Sequence, residues 1–134
     1  MTAIVCIDDR GGILFLGRRN GRDREVYRDI ARSFSRILLT EYSRELFSDI
    51  DIETVVTQSP LASASGDDVC FIESSEITGA ADKISRLIIY KWNRKYPSDT
   101  RLGFLPTEVG FSLVATEEFV GKAHDKITKE IYER

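Results

Sequence analysis

The chain is poor in the residues that hold metals and cross-links. Among 134 residues there are one histidine, two cysteines and one tryptophan. A single histidine cannot furnish a multi-histidine metal centre, so no metal site is expected. Cys6 and Cys70 both lie in apolar runs and read as small buried hydrophobes. A disulfide is not expected of them if the compartment is cytosolic. No stretch approaches the roughly 20 apolar residues of a membrane span. No basic segment followed by an apolar one opens the chain, so no secretion signal is expected and a cytoplasmic location is. The Gly-x-Ser-x-Gly elbow of many hydrolases is absent. Excess positive charge is missing too: the net charge is −3 and the pI about 5.3, which counts against a general nucleic-acid binder.

What is present fits an ordinary globular domain, with 42% hydrophobic and 31% charged residues. The length suits a single domain over residues 1–134. Such a domain buries roughly two thirds of its unfolded surface and needs no staple.

Strand and helix patterns alternate along the chain. Ala3 to Ile7 reads as a buried strand, closed by the turn chemistry of Asp8-Asp9-Arg10-Gly11-Gly12. Gly17 to Arg24 is a basic loop. From Asp23 to Phe34, the apolar residues Val26, Tyr27, Ile30, Ala31 and Phe34 share one helical face. Ile37 to Thr40 is a strand, and Ser43 reads as the N-cap of a short helix with Leu46, Phe47 and Ile50 facing inward. Thr54–Thr57, Val69–Ile72, Leu87–Trp92 and Phe111–Ala115 read as strands. Ser59–Asp68 is loop-like, and Glu73–Asp82 is too polar and broken for a regular helix. Residues 123–132 stay open. Ala123, Ile127 and Ile131 at spacings of four favour helix by propensity.

Several groups carry polar chemistry. Trp92, Asn93, Arg94 and Tyr96 form the leading candidate ligand site. The two aromatics can stack a flat ring, Asn93 can read its edge, and Arg94 can hold an anion. The competing reading is an aromatic cap on the core, with Asn93 tying a loop. Arg18 and Arg19, with Arg22 and Arg24, can grip phosphate or carboxylate, or form a solvated loop paired with Asp23 and Glu25. Asp8 and Asp9 can act as a coupled acid pair or simply shape the turn before Gly11-Gly12. His124 has no evident Ser, Cys or carboxylate partner in sequence and is expected at the surface.

The order strand, loop, helix, strand, short helix, strand resembles the first half of dihydrofolate reductase. MTAIVCIDDRGG resembles that family's opening strand and substrate-covering loop. Ser98-Asp99-Thr100 stands where its Gly-Asp-Thr turn is expected, after the strand around Tyr90. FSLVATEEF and KITKEIYER resemble the two closing strands, which favours strand over helix near the C-terminus. The resemblance implies a compact α/β three-layer sandwich with a central mixed sheet.

It also implies a cofactor problem. The family grips cofactor phosphate with a Gly-Arg-x-Thr turn, and here Leu39-Thr40-Glu41-Tyr42-Ser43 takes its place. A later Gly-Gly pair is replaced by Ile72-Glu73-Ser74-Ser75. The helices that flank the cofactor are shortened to Ser59–Asp68 and Glu73–Asp82. The family's substrate carboxylate aligns with neither Asp23 nor Asp29.

A second resemblance spans nearly the whole length. It is to small bacterial proteins that share Asp8 to Gly12, Arg18-Arg19 with Asp23, Tyr42-Ser43 with Phe47, Tyr90 to Asp99, and His124 to Ile127. Some of these bear the label ribonuclease Z. That chemistry needs two metals on several His and Asp ligands, which one histidine does not satisfy.

Three functional classes follow. The foremost expectation is a non-reductase small-molecule-binding or regulatory protein on a reductase-like scaffold, with no cofactor. The second is a reductase holding NADPH by a different grip, through the Arg18–Arg24 loop. The third, an RNA-binding or nuclease role, is disfavoured by charge and missing ligands. Neither the ligand nor the oligomeric state is written in these motifs.

Overall fold

The computed structural model describes residues 1–134. Its strands are β1 (Thr2–Ile7), β2 (Gly12–Phe15), β3 (Arg18–Arg19), β4 (Arg36–Leu39), β5 (Glu53–Val56), β6 (Val69–Phe71), β7 (Arg86–Lys91), β8 (Thr100–Arg101), β9 (Ser112–Phe119) and β10 (Ile127–Glu133). The helices are α1 (Arg24–Ser33), α2 (Glu41–Arg44), α3 (Pro60–Ser63) and α4 (Glu76–Gly79).

Seven strands form one mixed sheet in the order β5-β4-β6-β1-β7-β10-β9. The pairs from β5 through β7 are parallel, and β10 and β9 run antiparallel at one edge. β2, β3 and β8 form a small second sheet. The parallel strands β1, β4, β6 and β7 therefore share one carboxyl-end rim. In open α/β sheets that rim is where ligands bind.

Alternation along β1 and β7 divides the core into two layers. Ala3, Val5, Ile7, Leu87 and Ile89 face one side, with Leu61, Ile77 and Phe111. Ile4, Ile88, Tyr90 and Trp92 face the other, beneath Val26, Tyr27 and Ile30 of α1. Burying two such layers stabilises the sheet by about 25 cal/mol for each Å² of apolar surface removed from water. α1 starts at Asp23, whose side chain accepts the N–H of Glu25 as an N-cap.

The structure decides the open segment. Residues Ile127–Glu133 are a strand, paired with β7 on one side and β9 on the other. A spacing of four is compatible with both the helical and the extended period, so it could not choose between them. Hydrogen bonding on both edges outweighs the modest helix propensity.

One expectation is corrected. Ser43 does not cap the short helix: α2 begins at Glu41 with Thr40 at the N-cap, and Ser43 is buried within it. Its hydroxyl has a stronger use, as shown below. The cysteines are both free, with Cys70 buried and Cys6 half-buried. Burial pushes the Cys70 thiol up to about 12, which makes it unreactive. No helix is long and apolar enough to cross a membrane.

Candidate functional site

The rim is closed by a buried ion pair. β2 and β3 form a hairpin that leads directly away from the end of β1 and places Arg19 over the ends of β4 and β6. Arg19 Nε donates to Glu73 Oε2 at 2.8 Å and Nη2 to Oε1 at 3.0 Å, a bidentate fork. Nη1 donates to Glu45 Oε1 at 2.8 Å, and Nη2 also to the Tyr42 carbonyl at 2.9 Å. The guanidinium carbon lies 4.2 Å from the centre of the Tyr42 ring. Ser43 Oγ completes the cradle, donating to Glu73 Oε1 at 2.7 Å. The side chains of Arg19 and Glu73 are only 10% and 9% exposed. Burial alone would lower the Arg19 pKa, but the Glu73 contact outweighs it and raises it.

The other arginines of this stretch go elsewhere. Arg24 pairs with Asp49 at 2.7 Å, and Arg22 reaches Glu45 at 3.9 Å. Arg18 is exposed. None of the three pairs with Asp23 or Glu25. The partners come from across the fold, at separations no local reading reveals.

Asp8 and Asp9 separate. Asp8 is buried and accepts the N–H groups of Arg10 at 2.8 Å, Gly12 at 2.7 Å and Tyr96 at 3.1 Å. Its carboxylate is used up in shaping the turn, where Gly11 takes a φ of +77°. Asp9 is exposed.

Trp92 and Tyr96 converge, but on a protein partner. Trp92 is 1% exposed and stacks on His124, with ring centres 4.6 Å apart and planes 18° from parallel. Gly21 lies against its indole, where a Cβ would come within 2.8 Å of Nε1. Tyr96 OH lies 2.7 Å from His124 Nε2, and His124 Nδ1 lies 3.0 Å from Asp23 Oδ2. His124 is 4% exposed, which corrects the expectation of a surface histidine.

Asp23 also accepts the backbone N–H groups of Lys122, Ala123 and His124. Burial would push its carboxyl up. The N–H groups of Lys122, Ala123 and Glu25 and the His124 ring outweigh that and hold it below its ordinary value. An ionised Asp23 can only accept, so Nδ1 of His124 carries a proton, and in the neutral ring Nε2 accepts from Tyr96. The hydroxyl, imidazole and carboxylate form a continuous hydrogen-bonded chain. It joins the segment after β7, the β9–β10 turn and the start of α1.

Asn93 and Arg94 lie beside this chain and line a small cleft with Trp92 and His124. Asn93 has a φ of +57°, and its amide donates to Lys126 O at 3.1 Å and Thr128 Oγ1 at 2.9 Å, tying the loop. Arg94 is exposed, 6.0 Å from the centre of the Tyr96 ring. Asp29 accepts from Tyr90 OH at 2.7 Å and pairs with buried Lys129 at 2.9 Å.

A groove of about 780 Å³ lies on the sheet face opposite α1. Ile7, Ile89, Leu102 and Tyr132 line its floor, and Asp9, Arg10, Asn93, Arg101, Leu105 and Glu108 are among its other lining residues. Of the candidates read from the sequence, Asp8, Asp9 and Asn93 line it; Trp92, Arg94, Tyr96, Arg18 and Arg19 do not. Sequence reasoning missed His124, Asp23 and Glu73 as hubs. A lone histidine in an otherwise histidine-free chain was the one available signal. No group of three or more His, Cys, Asp or Glu side chains is placed to hold a metal ion.

This combination of a mixed sheet with a parallel core and antiparallel edge, and helices on both faces, defines an α/β sandwich. Its fold is that of dihydrofolate reductase. The reductase from Enterococcus faecalis complexed with NADP(H) and RAB-propyl superposes with a TM-score of 0.69. The match covers 99% of this chain and 95% of that one at 13% identity, so it establishes the fold alone. No family model and no curated protein matches the chain.

Proposed function

We propose that this chain is a small-molecule-binding or regulatory protein that keeps a reductase frame without its dinucleotide grip. The observation that carries the reading is the Arg19–Glu73 pair. Glu73 follows β6 at the carboxyl-end rim, where a phosphate-binding turn must offer N–H groups or cations. Here the rim offers a carboxylate, and the protein's own guanidinium already satisfies it. The helices after β4 and β6 have four residues each, too short to build much positive potential at their N-termini.

The competing reading is an NADPH-dependent reductase with an altered grip. Its support is that the enterococcal relative in fold is complexed with NADP(H). Thermal melting in an NADPH titration separates the two. A ligand that binds only the folded state must raise the melting temperature, by roughly 10 °C at a hundredfold excess over Kd for a domain of this size. The expected result is no shift. A rise of several degrees that saturates with NADPH sinks the reading.

A further inference from the structure

We infer that the cleft beside the β2–β3 hairpin binds a small aromatic monocarboxylate, with its ring against the hairpin tip and its carboxylate between Arg18 and Asn20. This deepens the reading above by naming a ligand class, and it rests on that reading.

The hairpin tip is built against its own backbone preference. A two-residue loop, Leu16-Gly17, joins β2 to β3, and both residues have a positive φ, 52° and 75°. Loops of this kind favour Asn-Gly, because a bulky side chain resists the left-handed region. Leu16 is also 74% exposed, and Phe15 beside it 41%. Packing within the chain therefore does not account for a leucine at this position. Strained residues of this kind cluster at ligand clamps and active sites.

The cleft at that tip measures about 330 Å³, at the small end of the roughly 300–1,000 Å³ range of small-molecule sites. Phe15, Leu16, Arg18, Arg19, Asn20 and Pro97 line it, and no carboxylate is among them. Arg19 is spent on Glu73 and Glu45. Arg18 is exposed and pairs with no acidic side chain. Phe15 and Arg18 are direct partners across the hairpin, so the ring and the cation share one side of the ribbon. Asp99, on the neighbouring segment, accepts the Leu16 N–H at 3.0 Å and is not part of the lining. The cleft thus carries one free cation beside uncovered apolar surface.

Asn20 supplies the second polar contact. Its Nδ2 is buried and meets no acceptor within the protein. A buried N–H left unpaired is costly, so it calls for an oxygen from outside the chain. A carboxylate accepts from an amide and a guanidinium together. An aromatic ring attached to it covers Phe15, Leu16 and Pro97.

The test separates charge from ring. Phenylacetate, phenylacetamide and acetate are titrated into the isotope-labelled full chain by NMR. The Asn20 side-chain amide signals, assigned by their loss in Asn20→Ala, are expected to shift saturably with phenylacetate. Phenylacetamide keeps the ring without the charge and should bind about fivefold more weakly, the scale of one exposed ion pair. Acetate keeps the charge without the ring and should not saturate. Arg18→Ala should erase the advantage of the acid over the amide, and its unchanged melting temperature shows that folding is intact. Leu16→Asn gives the turn the residue it prefers, so it should raise the melting temperature and weaken both aromatic ligands. No saturable shift of the Asn20 amide, which means that water alone answers it, overturns the inference. Equal binding of acid and amide, an acid preference that survives Arg18→Ala, or wild-type affinity in Leu16→Asn does the same. Binding of NADPH bears on the reading above instead, and either result can fail without the other.

Discussion

Asp23 is the residue on which the most structure converges. It caps α1, accepts N–H groups from the β9–β10 turn, and fixes the proton on His124. Removing it leaves several buried donors without an acceptor. Asp23→Ala should therefore cost about 3 kcal/mol in denaturant unfolding, more than an N-cap alone. Its pH signature has a definite sign. The folded-state pKa lies below the ordinary carboxyl value. The stabilisation is thus fully present above the unfolded pKa and is lost as pH falls through the folded one. Stability of the Asp23→Ala variant should fall less steeply than wild type on the acid side, and an identical acid slope would contradict this role. None of this was legible locally. Asp23 looked like one more charge in a basic loop, and His124 lies 101 positions away. The Trp92 segment was legible as a place of importance. Its aromatic faces, however, are taken by His124 and not by solvent.

At the scale of elements, the β2–β3 hairpin matters because of what holds it down. Arg19 ties it to α2 and to the end of β6 through Tyr42 and Glu73. Removing one member of a buried pair is costly because the other is left desolvated. Arg19→Ala should destabilise the fold by about 3 kcal/mol, and Glu73→Gln by a similar amount. The double variant should lose clearly less than the sum, which a double-mutant cycle in urea measures. Strict additivity would mean that the two side chains do not interact. Strands β1, β4, β5, β6, β7 and β9 were readable from β-branched and apolar runs because tertiary pairing only reinforced local preference, whereas the short strands of the second sheet were not. The C-terminal strand was not, since a spacing of four serves helix and strand alike and the neighbours of β10 are distant in sequence. Ser43 misled for a related reason. A serine at a helix start reads as a cap, whereas here its hydroxyl answers a carboxylate 30 positions on.

For the whole molecule, the reductase-like frame with its central mixed sheet was within reach of the sequence, because the order of its words follows the order of the elements. The acidic residues near the rim, Glu41 and Glu73, were equally visible in the sequence. The pairing of Glu73 was not visible, because an ion pair across the rim needs the fold to bring Arg19 to Glu73. The groove on the opposite face was hidden for the same reason. Its charges come from four separate segments, around Arg10, Lys91, Arg101–Glu108 and Glu130. The reading proposed above is that the reductase frame here carries no dinucleotide site. Direct fluorescence titration of NADPH against wild type and Glu73→Gln tests it most simply. The expected result is no saturable change in NADPH emission with the wild-type chain, and at most weak binding once the carboxylate is gone. Saturable, stoichiometric binding of NADPH by the wild-type chain, weakened by Arg19→Ala, would contradict it.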